Sequence, residues 1–501
     1  MHGLRAHRRA AAPLPAASLP AASLPAAGGP AAGGASQEGH GSRRSWSLLV
    51  LLSVAQFMVI LDATVVNVAL PSIGRSLHFS PGGLQWAVTA YVLASGGLVL
   101  AGGRAADLAG RRRMFLSGLI VFTAASLASG LALSPAALIA ARAGQGLGAA
   151  LLTPAALSII TTTYAGAQRT TALATWGALG GAGAAAGVLA GGVLTTWLGW
   201  RSVFLVNVPI GVVAGLLSLR MVPRHSAPGP AWRQFDPAGA ALGIGGLVSA
   251  AYAIAGVPSR GWASAQTLLV FALAAALLAA FAATERQAAR PLLPPRLWRS
   301  RSLVAGVLVI FGATGLLVGT FFLNSLYLQG VQHASALRTG LEFLPLALVI
   351  GASAHLGSRL LHAAGTRAVI VAGLLLMGGG ALLLTRVAPG SGYLTGVLPG
   401  LLVIGAGTGL VLPGASVTAL SGIAASEAGA ASGLMTAAHE IGAAVGVAVF
   451  SAAGVAVTGG VAAGYRHGFA VAAAVAAGLA VTGAVLCPAV RPAPGAPMAV
   501  H

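Results

Sequence analysis

Three charged residues interrupt long apolar stretches of this sequence and are the side chains best placed to do chemistry: Asp62, Arg142 and Glu440. Only eight residues of the chain are acidic, and an ionised aspartate at the centre of a membrane helix costs about 3 kcal/mol on insertion scales. Charged side chains kept in such surroundings mark ion or proton pathways. Asp62 therefore predicts a carboxylate that gains and loses a proton. The structural alternative is an aspartate that pairs permanently with an arginine.

Arg142 is the predicted partner of Asp62, because the two residues fall at a similar depth. Arg142 lies about six residues from one end of its apolar stretch and Asp62 about eight from the corresponding end of an antiparallel one, which at 1.5 Å per residue places them within a turn of each other. A neighbouring arginine makes the protonation of a carboxylate depend on whether solvent can reach the pair and on whether a transported compound is bound nearby. Glu440, beside His439, is the second candidate proton or cation site, with an ordinary polar contact between helices as the alternative.

The composition excludes several other kinds of chemistry. The chain has no lysine, which removes the lysine of a phosphate-binding loop and any Schiff-base lysine. A single cysteine, Cys487, excludes an internal disulfide and a Cys-x-x-Cys pair. The arginines are spread between apolar stretches and form no basic face for nucleic acid. We therefore expect no enzyme activity, no cofactor, no metal, no ATP hydrolysis and no nucleic-acid partner.

The elements that must position these residues are transmembrane helices. The chain is 57% hydrophobic and 7% charged, whereas soluble proteins average about 25% charged residues. Apolar stretches of about twenty residues, each able to cross a roughly 30 Å hydrocarbon layer, follow one another from Trp46. They predict an all-α membrane protein with fourteen transmembrane helices at 47–70, 84–103, 114–133, 136–160, 171–194, 203–221, 238–257, 266–284, 303–326, 339–358, 368–385, 394–415, 433–455 and 467–487.

The arginines predict the orientation of these helices. With the N-terminus inside, about eighteen arginines fall in cytoplasmic segments and about six in external ones. The positive-inside rule then places both termini in the cytoplasm.

A faint internal repeat divides the chain into two halves. Residues 103–112 resemble 358–367, and residues 146–154 resemble 405–413. Parallel halves of this kind build secondary transporters, with the substrate site between them. The predicted organisation is a disordered cytoplasmic tail (1–45, unless the start codon is misassigned), an N-terminal six-helix bundle (46–221), a linker with two inserted transmembrane helices (222–301), a C-terminal six-helix bundle (302–487) and a cytoplasmic tail (488–501).

Several segments resemble the motifs of one family: residues 61–71 (LDATVVNVALP), 103–115, 138–150, the glycine-rich 183–192, and 200–211. On these motifs the chain resembles the fourteen-helix drug:proton antiporter family of the major facilitator superfamily, with two six-helix bundles plus two inserted helices. Four residues depart from the family pattern. Leu108 stands where an arginine is usual, Val188 where a proline is usual, and His439-Glu440 where the commoner pair is Arg-Gln.

The resemblance assigns expected roles to further residues. Gly103, Asp107, Gly110, Arg111 and Arg112 are expected to form a gating loop that acts as a conformational latch; plain positive-inside anchoring is the alternative. The antiporter motif corresponds to a helix-packing stripe at Gly183, Gly187, Gly191 and Gly192, because small residues let helices approach closely. Weaker candidates for the substrate cavity are Asn67, Gln145 and Tyr327.

The expected function is efflux of small lipophilic or amphipathic compounds, such as drugs or antibiotics, in exchange for protons. The expected partners are the small-molecule substrate, protons and the lipid bilayer of a bacterial plasma membrane, and we expect a monomer. Three alternatives remain at this point: export of an endogenous metabolite or lipid, uptake by symport, and a membrane receptor or scaffold that transports nothing.

Overall fold

The computed structural model describes residues 35–80, 83–164, 166–222, 237–287, 297–388, 390–423, 427–455 and 461–488. Over these residues the regular structure is helical. The α-helices are α1 (Ala35–Leu77), α2 (Trp86–Ala109), α3 (Arg111–Gly130), α4 (Pro135–Thr163), α5 (Gly166–Trp197), α6 (Ser202–Leu205), α7 (Asn207–Met221), α8 (Pro237–Arg260), α9 (Ala265–Gln287), α10 (Arg301–Gly330), α11 (Ala336–Ala364), α12 (Thr366–Leu384), α13 (Leu398–Leu420), α14 (Ala428–Val455) and α15 (Val461–Leu486).

Length and composition mark this as a protein of many membrane spans. Eleven stretches of the described chain are long and apolar enough to cross a membrane. Three shorter apolar stretches, Trp86–Val99, Ala185–Trp197 and Ala241–Ile254, belong to α2, α5 and α8. The prediction of an all-α, multi-span membrane protein is confirmed.

Two boundaries differ from those predicted from the sequence. Helix α1 begins at Ala35 rather than near residue 46, because the proline-rich run ends at Pro30 and no proline then interrupts the helix before Pro71. The predicted span 203–221 is divided into α6 and α7 at Val206. Residues 1–34 and 489–501, which hold most of the two predicted tails, lie outside the described residues.

Consecutive long helices run antiparallel because their connections are short. One end of the bundle, here named the Leu77 end, holds the connection after α1. The opposite end, named the Arg111 end, holds the connection between α2 and α3. At the Arg111 end Arg112 Nη2 donates to the carbonyl of Leu219 at 2.6 Å. At the Leu77 end Arg201 Nη2 donates to the carbonyl of Ala132 at 3.3 Å.

Helices α2 and α4 approach each other closely at a backbone carbonyl of α4 that a proline leaves without its helical hydrogen bond. Pro154 lies inside α4 and has no N–H to offer to the carbonyl of Ala150, four residues earlier. Gly102 of α2 lies against this carbonyl, so near that a side chain at position 102 would collide with it. The absence of a side chain at Gly102 is therefore what allows this contact.

Helices α11 and α13 repeat the arrangement. Pro413 lies inside α13 and leaves the carbonyl of Gly409 without its helical donor. A methyl group at Gly357 of α11 would lie 3.2 Å from that carbonyl oxygen. The sequence repeat thus corresponds to a repeated contact: in both helix pairs, a glycine of one helix lies against the carbonyl that a proline leaves free in the other.

Candidate functional site

The predicted pair between α1 and α4 is formed. Asp62 and Arg142 are both fully buried, and Arg142 Nη1 donates to Asp62 Oδ2 at 2.5 Å. Burying two opposite charges is tolerated when their remaining hydrogen-bonding groups find partners. The surroundings of each partner therefore decide what this pair can do.

Asp62 receives two more hydrogen bonds at its other oxygen. Gln145 Nε2 donates to Oδ1 at 2.9 Å, and Asn207 Nδ2 donates to the same atom at 2.8 Å. Three donors from α4 and α7 thus surround one carboxylate on α1. All three bonds use the oxygens of Asp62 as acceptors, and hydrogen bonds to an ionised carboxylate are about twice as strong as neutral ones.

Arg142 is fixed independently of its acidic partner. Its Nε donates to the carbonyl of Ala87 on α2 at 2.9 Å. The centre of its guanidinium lies 4.3 Å from the ring centroid of Tyr91 and 5.7 Å from that of Phe204. A cation over aromatic faces in a dry site is stabilised by about 2 kcal/mol. The cation is thus held in position for Asp62 by contacts that do not involve Asp62.

Two serines of α3 complete the network. Ser129 Oγ donates to Gln145 Oε1 at 3.0 Å, and Gln145 Nε2 donates to Ser126 Oγ at 2.8 Å. Arg142 Nη1 also donates to Gln145 Oε1 at 3.0 Å. The network joins α1, α3, α4 and α7 and excludes solvent from Asp62. For a proton to reach Asp62, these helices must therefore move relative to one another.

The glycine stripe of α5 lies against the helix that carries Asp62. Side chains at Gly183, Gly187 and Gly191 would collide with Ile60, Thr64 and Val65 of α1, respectively. Gly192 faces α11, because a methyl group there would lie 2.9 Å from the Leu337 Cα of that helix. The stripe therefore lets α5 pack closely on two helices.

Glu440 lies at a contact between α14 and α2. A methyl group at Gly96 would come 2.5 Å from Glu440 Cβ, so the two helices touch there. His439 Nδ1 lies 3.1 Å from Thr314 Oγ1 of α10. His439 is exposed and Glu440 partly exposed, although α14 is enclosed by α2, α8, α10 and α15. These two side chains therefore border space inside the helical bundle.

Tyr91 is buried beside Arg142, whose guanidinium centre lies over its ring. The structure brings Asp62 and Arg142 into direct contact and places Glu440 at the separate contact between α14 and α2. Within the described residues, no group of three His, Cys, Asp or Glu side chains could hold a metal ion.

The predicted gating loop is a tight turn between α2 and α3. Gly110 has a φ of +99°, a conformation that favours glycine. Arg112 donates to the end of α7, as described above, whereas Arg111 is partly buried and Gly103 lies beside Pro154 of α4. The side chain of Asp107 lies outside the described part of the structure. The latch role of these residues stays a prediction.

None of the three predicted cavity residues presents open surface in this conformation. Asn67, Gln145 and Tyr327 are 4%, 0% and 0% exposed. Asn67 Nδ2 donates to the carbonyl of Ala63 at 3.1 Å, and the Tyr327 hydroxyl donates to that of Ala388 at 2.8 Å. Because Gln145 binds Asp62, this residue belongs to the charge network. A cavity role for the three would require another conformation of the protein.

Four residues of the network were not assigned a role from the sequence: Tyr91, Ser126, Ser129 and Asn207. Asn207 carried a usable signal, because it is an amide inside an apolar stretch and must find a partner there. Ser126 and Ser129 carried no such signal, since the hydroxyl of a serine in a membrane helix can donate to a backbone carbonyl of its own helix.

Known proteins are similar to this chain in sequence or in fold. The sequence model of the Major Facilitator Superfamily matches residues 52–447. The chain belongs to this superfamily. The predicted resemblance is thereby confirmed, and the candidate site lies on helices inside the matched region.

The relatives of this major facilitator protein include antibiotic resistance and export proteins. It is 42% identical over 412 residues to the puromycin resistance protein of Streptomyces alboniger, covering 81% of each chain. It is 40% identical over 415 residues to the cephamycin export protein CmcT of Amycolatopsis lactamdurans, covering 81% of this chain and 85% of the relative.

Solved structures of other transporters share the fold. A bacterial homologue of the human lysosomal transporter Spinster, crystallised in an inward-facing and occupied conformation, matches with a TM-score of 0.64 at 17% identity, over 87% of this chain and 95% of the other. The peptide-transporter-family (POT) protein PepTSo matches with a TM-score of 0.65 at 17% identity, over 89% and 97%. At this identity the likeness concerns the fold alone.

Proposed function

We propose that this protein exports antibiotic-like, lipophilic compounds from a bacterial cell in exchange for protons. The observation that carries the proposal is the buried pair of Asp62 and Arg142 in the membrane core, in a chain whose relatives are resistance and export proteins. A membrane receptor or scaffold has little reason to keep two opposite charges inside the hydrocarbon layer, where each is costly.

Proton coupling would use the cage around Asp62 as its switch. While α4 and α7 hold the carboxylate, three donors favour its charged form and no water reaches it. When α1 moves away, Asp62 loses donors and meets water, and protonation becomes favourable. Protonation from outside then releases the cargo outward, and the return to the inward-facing state delivers the proton to the cytoplasm.

Glu440 would be the second titrating group on the route. It borders internal space, whereas Asp62 is fully buried. An acidic group in an apolar cavity favours a transported compound with a positive charge. Because Arg142 balances the charge of Asp62, neutral and zwitterionic compounds are also compatible with the site. The driving force is the proton gradient, so no nucleotide or other cofactor is needed.

The proposed architecture has fourteen spans in two six-helix halves. The eleven long spans and the three shorter apolar stretches of α2, α5 and α8 together supply fourteen. The matching contacts of Gly102 and Gly357 favour a repeat of the first half in the second. Helices α8 and α9 would then be the two inserted spans, and the protein would work as a monomer.

The proposed orientation places the Arg111 end in the cytoplasm of a plasma-membrane protein. The arginine-rich segments gather at that end, and cytoplasmic loops carry the excess of basic residues. Both termini then lie inside the cell, and the Leu77 end faces outward.

Transport in proteoliposomes with an imposed pH gradient tests the function. The panel would contain the compounds named for the two relatives described above (puromycin and cephamycin) together with a lipophilic cation. We expect movement of at least one compound that depends on the gradient and is lost in Asp62→Asn and in Glu440→Gln. Arg338→Ala serves as the control, because Arg338 is 59% exposed and its 2.8 Å partner is Glu342 rather than Asp62.

Three outcomes would contradict the proposal. Movement of a compound without any dependence on the gradient would remove proton coupling. Uptake in the direction of proton flow would replace antiport by symport. No movement of any compound, by protein that is folded and correctly inserted, would favour an endogenous metabolite or lipid as cargo, or a receptor or scaffold.

A further inference from the structure

The helix that carries Asp62 is interrupted near its outer end by a proline. Pro71 lies inside α1 and supplies no N–H to the carbonyl of Asn67, four residues earlier. Asn67 is 4% exposed, so water does not readily replace the missing donor. A buried carbonyl without a partner costs about 1–3 kcal/mol. The carbonyl of Asn67 therefore needs a donor from outside α1.

That donor comes from the other half of the protein. Ser325 Oγ of α10 donates to the carbonyl of Asn67 at 2.7 Å. One turn further along α10, Gln329 Nε2 donates to the carbonyl of Val68 at 2.9 Å. Ser325 and Gln329 are 0% and 7% exposed. Two side chains of α10 thus bind two neighbouring backbone carbonyls of α1.

The side chain of Asn67 takes no part in this contact. Its amide donates to the carbonyl of Ala63 on its own helix. The recognition is therefore between α10 side chains and the α1 backbone, at the point where Pro71 opens the helical ladder. The position of the proline determines which carbonyl is free. Because the α1 groups that are bound are backbone carbonyls, the α1 side chains do not reveal this contact.

A second contact closes the same end. The backbone N–H of Leu337 on α11 donates to Thr196 Oγ1 on α5 at 3.1 Å. A methyl group at Gly340 of α11 would lie 2.7 Å from the carbonyl of Val188 on α5. Two helix pairs, α1 with α10 and α5 with α11, therefore join the halves at the Leu77 end.

We infer that Ser325 and Gln329 are positioning residues for transport, which hold α1 in the conformation closed at the Leu77 end through the carbonyl that Pro71 leaves free. Asn67 lies five residues from Asp62, about 7.5 Å along the helix. Release of α1 at this point moves the helix that places Asp62 in its cage. The inference rests on the proposed alternating access, because opening at the Leu77 end must break these bonds.

The energetic consequence is specific to one conformation. When the Leu77 end opens, water can satisfy the carbonyl of Asn67, so loss of Ser325 costs free energy only in the closed state. Ser325→Ala should therefore shift the equilibrium toward the open state by roughly 5- to 150-fold. Gln329→Met should shift it in the same direction but less, since the carbonyl of Val68 keeps its helical donor, the N–H of Ser72.

Cysteine cross-linking between Thr196→Cys and Leu337→Cys reports the closed state directly. In a Cys487→Ser background, cross-linking reports the closed state, and maleimide labelling of the same two cysteines reports the open state. The ratio of the cross-linking rate to the labelling rate should fall by at least about fivefold on adding Ser325→Ala. Ser325→Thr keeps the hydroxyl and should restore much of the ratio. Ser218→Ala is the matched control, because that buried serine donates only to its own helix, at 2.6 Å to Ala214. An unchanged ratio in Ser325→Ala would overturn the inference.

Pro71 provides the sharper test. Pro71→Ala restores an N–H for the carbonyl of Asn67, so Ser325→Ala should have at most a twofold further effect in that background. The same substitution should keep its full effect beside Pro345→Ala, which alters a proline of α11 instead. Equal effects of Ser325→Ala in the parent and Pro71→Ala backgrounds would contradict the role of the free carbonyl.

This experiment separates the inference from the proposed function. Cross-linking measures the closed conformation without any substrate or pH gradient. If the cross-linking results hold and transport proves independent of protons, the coupling scheme fails and the positioning role stands. If transport is proton-coupled and Ser325→Ala leaves cross-linking and transport unchanged, the positioning role fails alone.

Discussion

Neutralising Asp62 and Arg142 together should destabilise the protein by less than the sum of the losses from neutralising each residue alone. Asp62→Asn keeps the shape of the side chain but leaves a fully buried arginine without its counterion. Removal of one partner of such a pair costs about 3–5 kcal/mol, whereas replacing both charges by neutral groups is far milder. The loss should fall at the low end of this range, because Ala87 and Tyr91 still hold the cation.

The double variant defines the coupling free energy of the pair. Asp62→Asn with Arg142→Gln removes both charges and also the contacts of Arg142 with Ala87 and Tyr91, which are worth about 1 kcal/mol for the hydrogen bond and up to about 2 kcal/mol for the ring. The two single losses should therefore exceed the loss in the double variant by at least about 2 kcal/mol.

The assay is reversible unfolding in mixed micelles, followed by the fluorescence of the eight tryptophans. The pair of Arg338 and Glu342 is the control cycle: Glu342 is only 8% exposed, but Arg338 is 59% exposed, so water screens the pair and its coupling should stay below about 1 kcal/mol. A coupling free energy between Asp62 and Arg142 below about 0.5 kcal/mol, no larger than that of independent sites, would refute the reasoning.

Three further predictions concern packing, the cage and orientation. Gly187→Ala should cost about 1–3 kcal/mol of unfolding free energy, because the added methyl group would collide with Thr64; Gly379→Ala, with no atom within 4 Å, is the control, and equal losses would count against the packing account. Asn207→Leu removes the 2.8 Å hydrogen bond to Asp62, which is worth about 1.5–3 kcal/mol, so proton-driven efflux should fall at least about tenfold. The control, Ser218→Ala, should keep the parent rate. Parent-like efflux by Asn207→Leu would show that the bond is dispensable. In a Cys487→Ser background, an impermeant maleimide should label Leu133→Cys in intact cells and Ala364→Cys only after permeabilisation; the reverse pattern would invert the orientation.

The pair at the centre of the site could be predicted because its members are rare. Charges inside apolar stretches are costly, so Asp62 and Arg142 are conspicuous, and counting residues from the helix ends gives their depth. Depth along a helix follows from sequence, whereas rotation about its axis and the choice of neighbours do not. For this reason Gln145, three residues from Arg142, was placed in the substrate cavity although its side chain binds Asp62.

The other residues that bind the pair could be predicted only in part, because the sequence does not fix how the helices are rotated toward one another. Asn207 binds Asp62 across 145 residues of chain, and nothing local fixes the rotation of α7 toward α1. The prolines, by contrast, carried a signal that could have been used. Pro71, Pro154 and Pro413 each release a known carbonyl, which must find a donor or a close neighbour on another helix. Which helix supplies it became visible only in the folded arrangement.

The central claim is that Asp62 changes its protonation during transport, and infrared difference spectroscopy of the protein in liposomes tests it most directly. Substrate addition at a fixed pH should remove a carbonyl band of a protonated carboxylic acid in the parent protein, and that band should be absent from the spectrum of Asp62→Asn. Identical difference spectra for the folded parent and Asp62→Asn proteins would mean that substrate does not change the protonation of Asp62, and would contradict the account.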